Sequence, residues 1–365
     1  METKGRIIIT VTNNLEGDQR INKVASSLHN QGYDITVIGS QSRECHPYSR
    51  PYKTKRLPVF FKKGFLFYGE FNIRLFFKLL FAPCDLMLAN DTDTVAAVYL
   101  ASKLRRKKFA VDLHELFPEV PEVVNRPFVK SFWTKIEDII FPHIKHGYTV
   151  CQSIADYYKK RYGINLGVVR NIPNKKAYEG RNKKLDYGDK KIILYQGAVN
   201  IGRGIEWIID AMPLIDNAVF VIIGNGDIKA EMERKVQEMQ LNDRVFFLGH
   251  MPFDKLSEYT RSADLGVCLL KNQGLSYYFS LPNRVFDYMQ QHVPLLATDF
   301  PEIANILRTH GTGVLIDHYE PQYLAQTIQQ ILDTPIDHEK YEKACEQFNW
   351  ENEEKTMLNI IQSAL

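Results

Sequence analysis

The feature that most constrains this chain is a rhythm: a short apolar run, a polar turn and an amphipathic stretch, repeated along one half and then restarted in the other. Residues 6–12 read as a buried strand, and 18–31 as a helix with Val24 and Leu28 on one face and Gly32 as its stop. Strands at 34–39 and 85–89, a helix over 93–104, strands at 108–113 and 147–150, and a helix from Ser153 to Tyr162 continue the series. The second series runs from K-I-I-L-Y-Q-G through a helix at 204–215, A-V-F-V-I-I-G, a charged helix at 228–240 and V-F-F-L-G. A helix at 254–262, L-G-V-C-L-L, a helix at 282–291, P-L-L-A-T, a helix at 301–309 and V-L-I-D follow, with helices from about 321 to the end. Alternation of this kind specifies an α/β protein, a parallel sheet wrapped by helices, and the restart specifies two such Rossmann-like halves.

Residues 171–191 break the rhythm; they are polar and punctuated by Pro173, Gly180 and Gly188, as an interdomain connection would be. The expected organisation is a first domain over 1–170, a linker over 171–191, a second domain over 192–345 and a C-terminal helix over 346–365 returning toward the first. Hydrophobic residues at 45% and charged residues at 24% let each half bury its own core. A net charge of +3 without a recognition motif argues against a nucleic-acid partner. The cysteines, Cys45, Cys84, Cys151, Cys268 and Cys345, are scattered and show no C-x-x-C spacing, which fits a reducing compartment. I-I-I-T-V at 7–11 is too short for a secretory signal, and no apolar run reaches the ~18 residues of a membrane span. The expected location is the cytoplasm.

In parallel sheets of this type ligands bind beyond the carboxyl ends of the strands, so the expected site lies in a cleft lined by residues that follow strands. Q-G-A-V-N-I-G-R-G at 196–204 is a glycine-rich strand-to-helix turn. Gly197 and Gly202 allow close approach of a phosphate, a helix N-terminus favours it, and Arg203 offers a fork of donors. The plainer reading is an ordinary turn with a surface arginine. G-N-G-D at 224–227 places Gly226 at a similar turn, against a base or pyrophosphate. S-L-P-N-R-V-F-D-Y-M at 280–289 brings Asn283, Arg284 and Asp287 to a helix start, where a carboxylate can accept two hydrogen bonds from a ribose diol. Its plainer reading is an Asp287–Arg284 surface pair. D-L-H-E-L-F-P-E at 112–119 gathers His114, Glu115 and Glu119 after a strand, with no second group at ligand spacing to complete a metal site.

As an ordered set these stretches resemble glycosyltransferase family 4 and its near relatives. The matching segments are G-D-Q-R-I-N-K-V-A-S-S-L at 17–28, V-D-L-H-E-L-F-P-E at 111–119, T-V-C-Q-S-I-A-D-Y-Y at 149–158 and V-V-R-N-I-P at 168–173. Y-Q-G-A-V-N-I-G-R-G at 195–204, V-I-I-G-N-G at 221–226, L-P-N-R-V-F-D-Y-M at 281–289 and P-L-L-A-T at 294–298 complete it. The resemblance implies a GT-B fold, two Rossmann-like domains facing a cleft, and sugar transfer from a UDP- or GDP-linked donor to a glycan or lipid-linked acceptor. It implies retention of configuration, no cofactor and no metal, and a role of the kind found in cell-surface polysaccharide or glycolipid synthesis. It places His114 against the donor sugar, Arg203 on the pyrophosphate and Asp287 at the second acid of an E-x7-E motif that holds the ribose. Gly17, Asp18, Glu115 and Glu119 fall on the acceptor side. The chain departs from the pattern at Phe279, where the first acid is expected, at Ala198, where many relatives carry an arginine, and at His292, a frequent glycine. With Phe279 in that place, backbone amides of 274–280 are expected to hold the sugar. The same resemblance leaves open a nucleotide-sugar epimerase or an inactive partner subunit.

Residues 50–81 interleave Arg50, Lys53, Lys55, Arg56, Lys62, Lys63, Arg74 and Lys78 with eight phenylalanines against the single acid Glu70. Such a segment suits the anionic inner face of a membrane. The competing expectation is that its aromatics pack on the first sheet.

Overall fold

The structure is a computed structural model that describes residues 3–41 and 49–365; Cys45 lies outside the described residues. The chain forms two compact units, Met1–Asn171 with Asn352–Leu365, and Ile172–Glu351.

In the first unit β1 (Arg6–Thr10), β2 (Asp34–Gln41), β3 (Lys53–Pro58), β4 (Leu86–Asn90), β5 (Lys108–Leu113), β6 (Gly147–Thr149) and β7 (Gly167–Val168) form one sheet in the order β3-β2-β1-β4-β5-β6-β7. Every pairing is parallel. Ile7, Ile9, Leu86, Met87 and Leu88 are fully buried, because helices cover both faces of the central strands of such a sheet. The second unit repeats the plan. Its strands β8 (Lys191–Gln196), β9 (Ala218–Ile223), β10 (Val245–Gly249), β11 (Leu265–Cys268), β12 (Leu295–Thr298) and β13 (Gly313–Ile316) lie in the order β10-β9-β8-β11-β12-β13. All are parallel, with one apolar core on each face. In both sheets the order reverses beside the first strand, between β1 and β4 and between β8 and β11. A doubly wound sheet opens its ligand crevice at that reversal.

Residues 171–191 contain no helix and only the first residue of β8. Arg181 fixes them to the second unit through both oxygens of Asp264 at 2.6 and 2.7 Å, and Tyr187 stacks on Phe246. The helix Trp350–Ala364 sends its later turns onto the first unit: Met357, Ile361 and Ala364 are buried, and Arg170 pairs with Glu353 at 2.9 Å.

The basic aromatic segment folds as β3 and a long helix, Gly64–Phe81. Phe71, Leu75 and Leu79 are the buried face of that helix. Phe60, Phe61, Phe65, Leu66, Ile73, Phe77 and Phe81 stay exposed, so only part of the aromatic content packs inward. Glu70 accepts from the amides of Phe60 and Phe61 and pairs with Arg74, tying the preceding loop to the helix. Among the described residues no helix is long and apolar enough to cross a membrane.

Candidate active site

The first unit builds its candidate site from the ends of β1, β4 and β5. Helix Gln19–Asn30 is capped by Asp18, whose carboxylate accepts from the Ile21 amide at 2.9 Å. Arg20 shares the helix face of Val24 and Leu28 and is buried with them. Its guanidinium meets Asp112 with Nη2–Oδ1 at 2.6 Å and Nε–Oδ2 at 2.9 Å, and Nη1 donates to the Val169 carbonyl. Asp112 is the penultimate residue of β5, and the chain turns there to place His114 Nε2 3.2 Å from Asp112 Oδ1 and Nδ1 3.7 Å from Asp91.

Asp91 follows β4 with φ +69°, a left-handed value that non-glycine residues rarely hold outside functional turns. That twist aims its carboxylate at the Thr92 and His114 amides, at 3.2 and 3.4 Å. Two residues on, Asp93 accepts from the Thr12 hydroxyl at 2.6 Å. Asp93 Oδ1 and Asn90 Oδ1 are buried without hydrogen-bond partners.

The charges sort themselves by environment. Burial opposes the charge on Asp112, but Arg20 and His114 hold its carboxyl down at about 2. Burial also opposes the charged His114 ring, yet Asp112 and then Asp91 push it up to about 9. Burial pushes Asp91 up despite His114, and burial with the neighbouring Asp91 pushes Asp93 up to about 7. Behind them burial raises Glu137 to about 8, where Tyr162 donates to it at 3.1 Å. At neutral pH these shifts favour an imidazolium beside the Asp112 carboxylate.

Of the residues expected on the acceptor side, Gly17 is exposed and Asp18 is spent as the helix cap. Glu119 pairs with Lys130 at 2.6 Å, and the Glu115 carbonyl accepts from Tyr158. The loop after His114 is anchored instead by aromatics: Phe117 lies 4.7 Å from Trp133 and 6.3 Å from Tyr68. Sequence reasoning missed Arg20, Asp91, Asp93, Asp112 and Glu137. A readable signal existed for one of them, since an arginine at the i−4 position to Val24 on an apolar helix face requires a buried acid partner.

The second unit builds its site around the turn from β8 into helix Ile205–Ala211. Gly197, Gly202 and Gly204 have φ of +134°, +80° and +68°. The glycine at 226 answers to a different need. A Cβ there would collide with Val199 O and Asn200 Oδ1, because the two glycine turns lie backbone on backbone. The Gly197 and Val199 amides donate across this seam, to Ile223 and Asn225. Those amides hold the turn together, and the close approach of the two backbones is why position 226 is a glycine.

Two arginines remain. Arg203 lies over the Tyr277 ring at 4.9 Å, and its Nε is buried with no hydrogen-bond partner. Arg284 is 8% exposed, sits over Tyr195 at 4.6 Å and leaves Nη1 buried and unpartnered. A Cβ on Gly197 would lie 3.1 Å from Arg284 Nη2, so the glycine lets this cation reach the turn. Arg284 is thus a buried group of the turn, not a surface residue. Asp287, one turn on, accepts from Gln196 Nε2 at 3.2 Å, and Gln196 in turn accepts from Thr260. Asn283 is exposed at the start of that helix. The segment 274–280 forms a short helix, Leu275–Tyr278, in which the amides of Gly274, Tyr278, Phe279 and Ser280 already donate within the chain. His292 stands at φ +52°, which explains why glycine suits the position, and stacks on Tyr178 at 4.1 Å. Among the described residues no three His, Cys, Asp or Glu side chains are grouped to hold a metal.

A model of the family described as Glycosyltransferase Family 4 matches residues 19–174, and one described as Glycosyl transferases group 1 matches residues 178–348. The chain is 25% identical over 185 residues to an uncharacterized glycosyltransferase of Methanocaldococcus jannaschii, covering 48% of this chain and 46% of that one. It is 24% identical over 151 residues to the alpha-D-kanosaminyltransferase of Streptomyces kanamyceticus, covering 40% and 38%. The chain thus spans about half or less of the length of these relatives. Among solved structures, sucrose-phosphate synthase from Thermosynechococcus elongatus superposes with a TM-score of 0.80 at 19% identity over 98% of both chains. Anabaena HepE in complex with UDP-glucose does so with 0.74 at 12% identity, over 98% of this chain and 100% of that one. The fold is GT-B, and the chain belongs to the family 4-like glycosyltransferases.

Proposed function

We propose that this chain transfers a sugar from a nucleotide-sugar donor to a glycan or lipid-linked acceptor, with retention and without a bound metal. The observation that carries the reading is the pair of buried, unpartnered arginine N–H groups, Arg203 Nε and Arg284 Nη1, at the glycine turn after β8. A buried donor left unmet is costly, and a diphosphate supplies the missing acceptors. Transfer breaks the bond between the anomeric carbon and a phosphate oxygen, so negative charge grows on the leaving diphosphate. Fixed cations already in place stabilise that charge without reorganising. Asp287, held by Gln196, accepts from the ribose. His114, charged by Asp112 and Asp91, donates to an oxygen of the sugar. Calorimetry of the full chain against UDP, GDP and ADP and their sugars tests the reading; one base should bind, and no binding by any of them contradicts it. Turnover of the bound donor only when an acceptor is added separates transfer from epimerisation.

A second reading concerns place. The exposed Phe60, Phe61, Phe65, Phe77 and Phe81, beside exposed Lys62 and Lys63, favour an anionic lipid surface under helix Gly64–Phe81, at the inner face of a membrane. Phe77→Ser with Phe81→Ser should weaken co-sedimentation with anionic vesicles at low salt. Unchanged sedimentation contradicts it.

A further inference from the structure

Lys108 begins β5 and Lys145 and His146 precede β6, so both strands start from cations. Helix Thr92–Arg105 ends beside them, with Lys103 in its last turn and Arg106 as its C-cap at φ +52°. These residues and Lys107 line a cavity of about 470 Å³. Among the described residues no carboxylate side chain lines it. Asp85 lies 3.5 Å from Lys107 and is shared with Arg6 at 3.2 Å. Lys108 reaches the Leu365 backbone oxygen at 3.0 Å. Burial, and then Lys108 and Lys145, depress the pKa of His146, the expected mark of a positive field.

The cavity is remote from the candidate site of the same unit. His114 follows the C-terminal end of β5, while the cavity is at its N-terminal end, about 20 Å away at ~3.3 Å per residue. Neither the donor nor the acceptor of a transfer reaction at His114 explains it. Like charges gathered around a concave space repel one another, and a multivalent anion removes that cost. Arg105 Nη1 ties the two helix ends together by donating to Leu79 O at 2.6 Å and Ala82 O at 2.7 Å.

We propose that this cavity, lined by Lys103, Arg106, Lys107, Lys108 and Lys145, is a binding site for a phosphate group, carried by a lipid headgroup or free in solution. It stands apart from the sugar-transfer reading and does not use Arg203 or Arg284. The test compares the full chain with Lys103→Ala/Arg106→Ala and with a control of equal charge loss on an exposed helix of the same unit, Lys159→Ala/Lys160→Ala. The probes are inorganic phosphate, by calorimetry, and vesicles of phosphatidylglycerol mixed equally with phosphatidylcholine, by sedimentation. Each cation at an anionic surface is worth about fivefold in binding, so the cavity variant should lose about 25-fold toward one probe and the control much less. Loss toward vesicles alone assigns the phosphate to a lipid headgroup. Loss of a saturable phosphate signal assigns it to a soluble ligand. The proposal is overturned if the parent binds neither probe, or if cavity variant and control behave alike toward both.

Discussion

At the carboxyl ends of β4 and β5 the first unit gathers Asp91, Asp93, Asp112 and His114; at the end of β8 the second gathers Arg203 and Arg284 around three glycines. Both sheets reverse strand order at the equivalent place, so topology gives both the same kind of crevice. The chemistry left unmet differs. In the first unit the buried atoms without partners include acceptors, Asn90 Oδ1 and Asp93 Oδ1, beside a charged histidine. In the second they include the arginine donors Arg203 Nε and Arg284 Nη1, with the acceptor Glu206 Oε2 at the start of the following helix. Acceptors suit the hydroxyls of a sugar, and donors suit the oxygens of a diphosphate. The comparison teaches that one fold, used twice, carries a carboxylate–imidazolium cluster at one crevice and buried guanidinium donors at the other.

The largest effect expected from breaking this contrast is in the first unit's frame. Arg20→Ala strips the buried Asp112 of its bidentate partner and leaves His114 beside it, which costs about 3–5 kcal/mol. Urea unfolding should show that loss with the slope unchanged, and a loss below about 1 kcal/mol would mean the pair is not a buried anchor. Arg20→Ala should also lower the pKa gap between Asp112 and His114, so any residual activity should shift its pH profile.

Next comes Asp93. Its folded pKa, about 7, lies above the unfolded value near 4, so its proton stabilises the fold fully below about pH 4, and that contribution is lost as pH rises through about 7. Asp93→Asn removes the loss. The variant should gain on the parent between pH 4 and 7 by at most about 1.4 kcal/mol per pH unit, and the difference should then level off. Parallel pH–stability curves would place Asp93 in water.

A smaller effect sharpens the second unit. Asp287→Asn replaces a charge-assisted hydrogen bond worth roughly 1.5–3 kcal/mol. Nucleotide affinity should fall about tenfold or more, and Asp287→Glu should keep most of it. Equal affinity in Asp287→Asn would remove the carboxylate from the ribose site.

Much of the sheet framework was legible because parallel strands buried on both faces are continuous apolar runs, and every strand from β8 to β13 lies where such a run ends in a turn. Helix Gln19–Asn30 was legible from its apolar face. What was not legible depends on contacts distant in sequence. β3, K-T-K-R-L-P, is polar because it edges the sheet, so it lacks a strand's apolar signature. The Arg20–Asp112 pair spans 92 residues, and neither partner announces the other. In the candidate site, Arg203 and Asp287 stood out through resemblance and local pattern. That Arg284 is buried at the turn follows from the absence of a side chain at Gly197, which no local pattern expresses. Asp91 escaped notice because its left-handed backbone, not its residue type, aims it at His114.

The central claim is that Arg203 and Arg284 meet a diphosphate, and calorimetry of Arg203→Ala with UDP, GDP or ADP, whichever the parent binds, tests it most directly. The account predicts a loss of nucleoside diphosphate affinity with the free nucleoside bound equally by variant and parent. It also predicts a fall of about 10²–10³ in transfer rate, only partly recovered by Arg203→Lys, which keeps the charge but not the fork. A variant that binds the diphosphate and transfers sugar like the parent would contradict it and move the phosphates elsewhere.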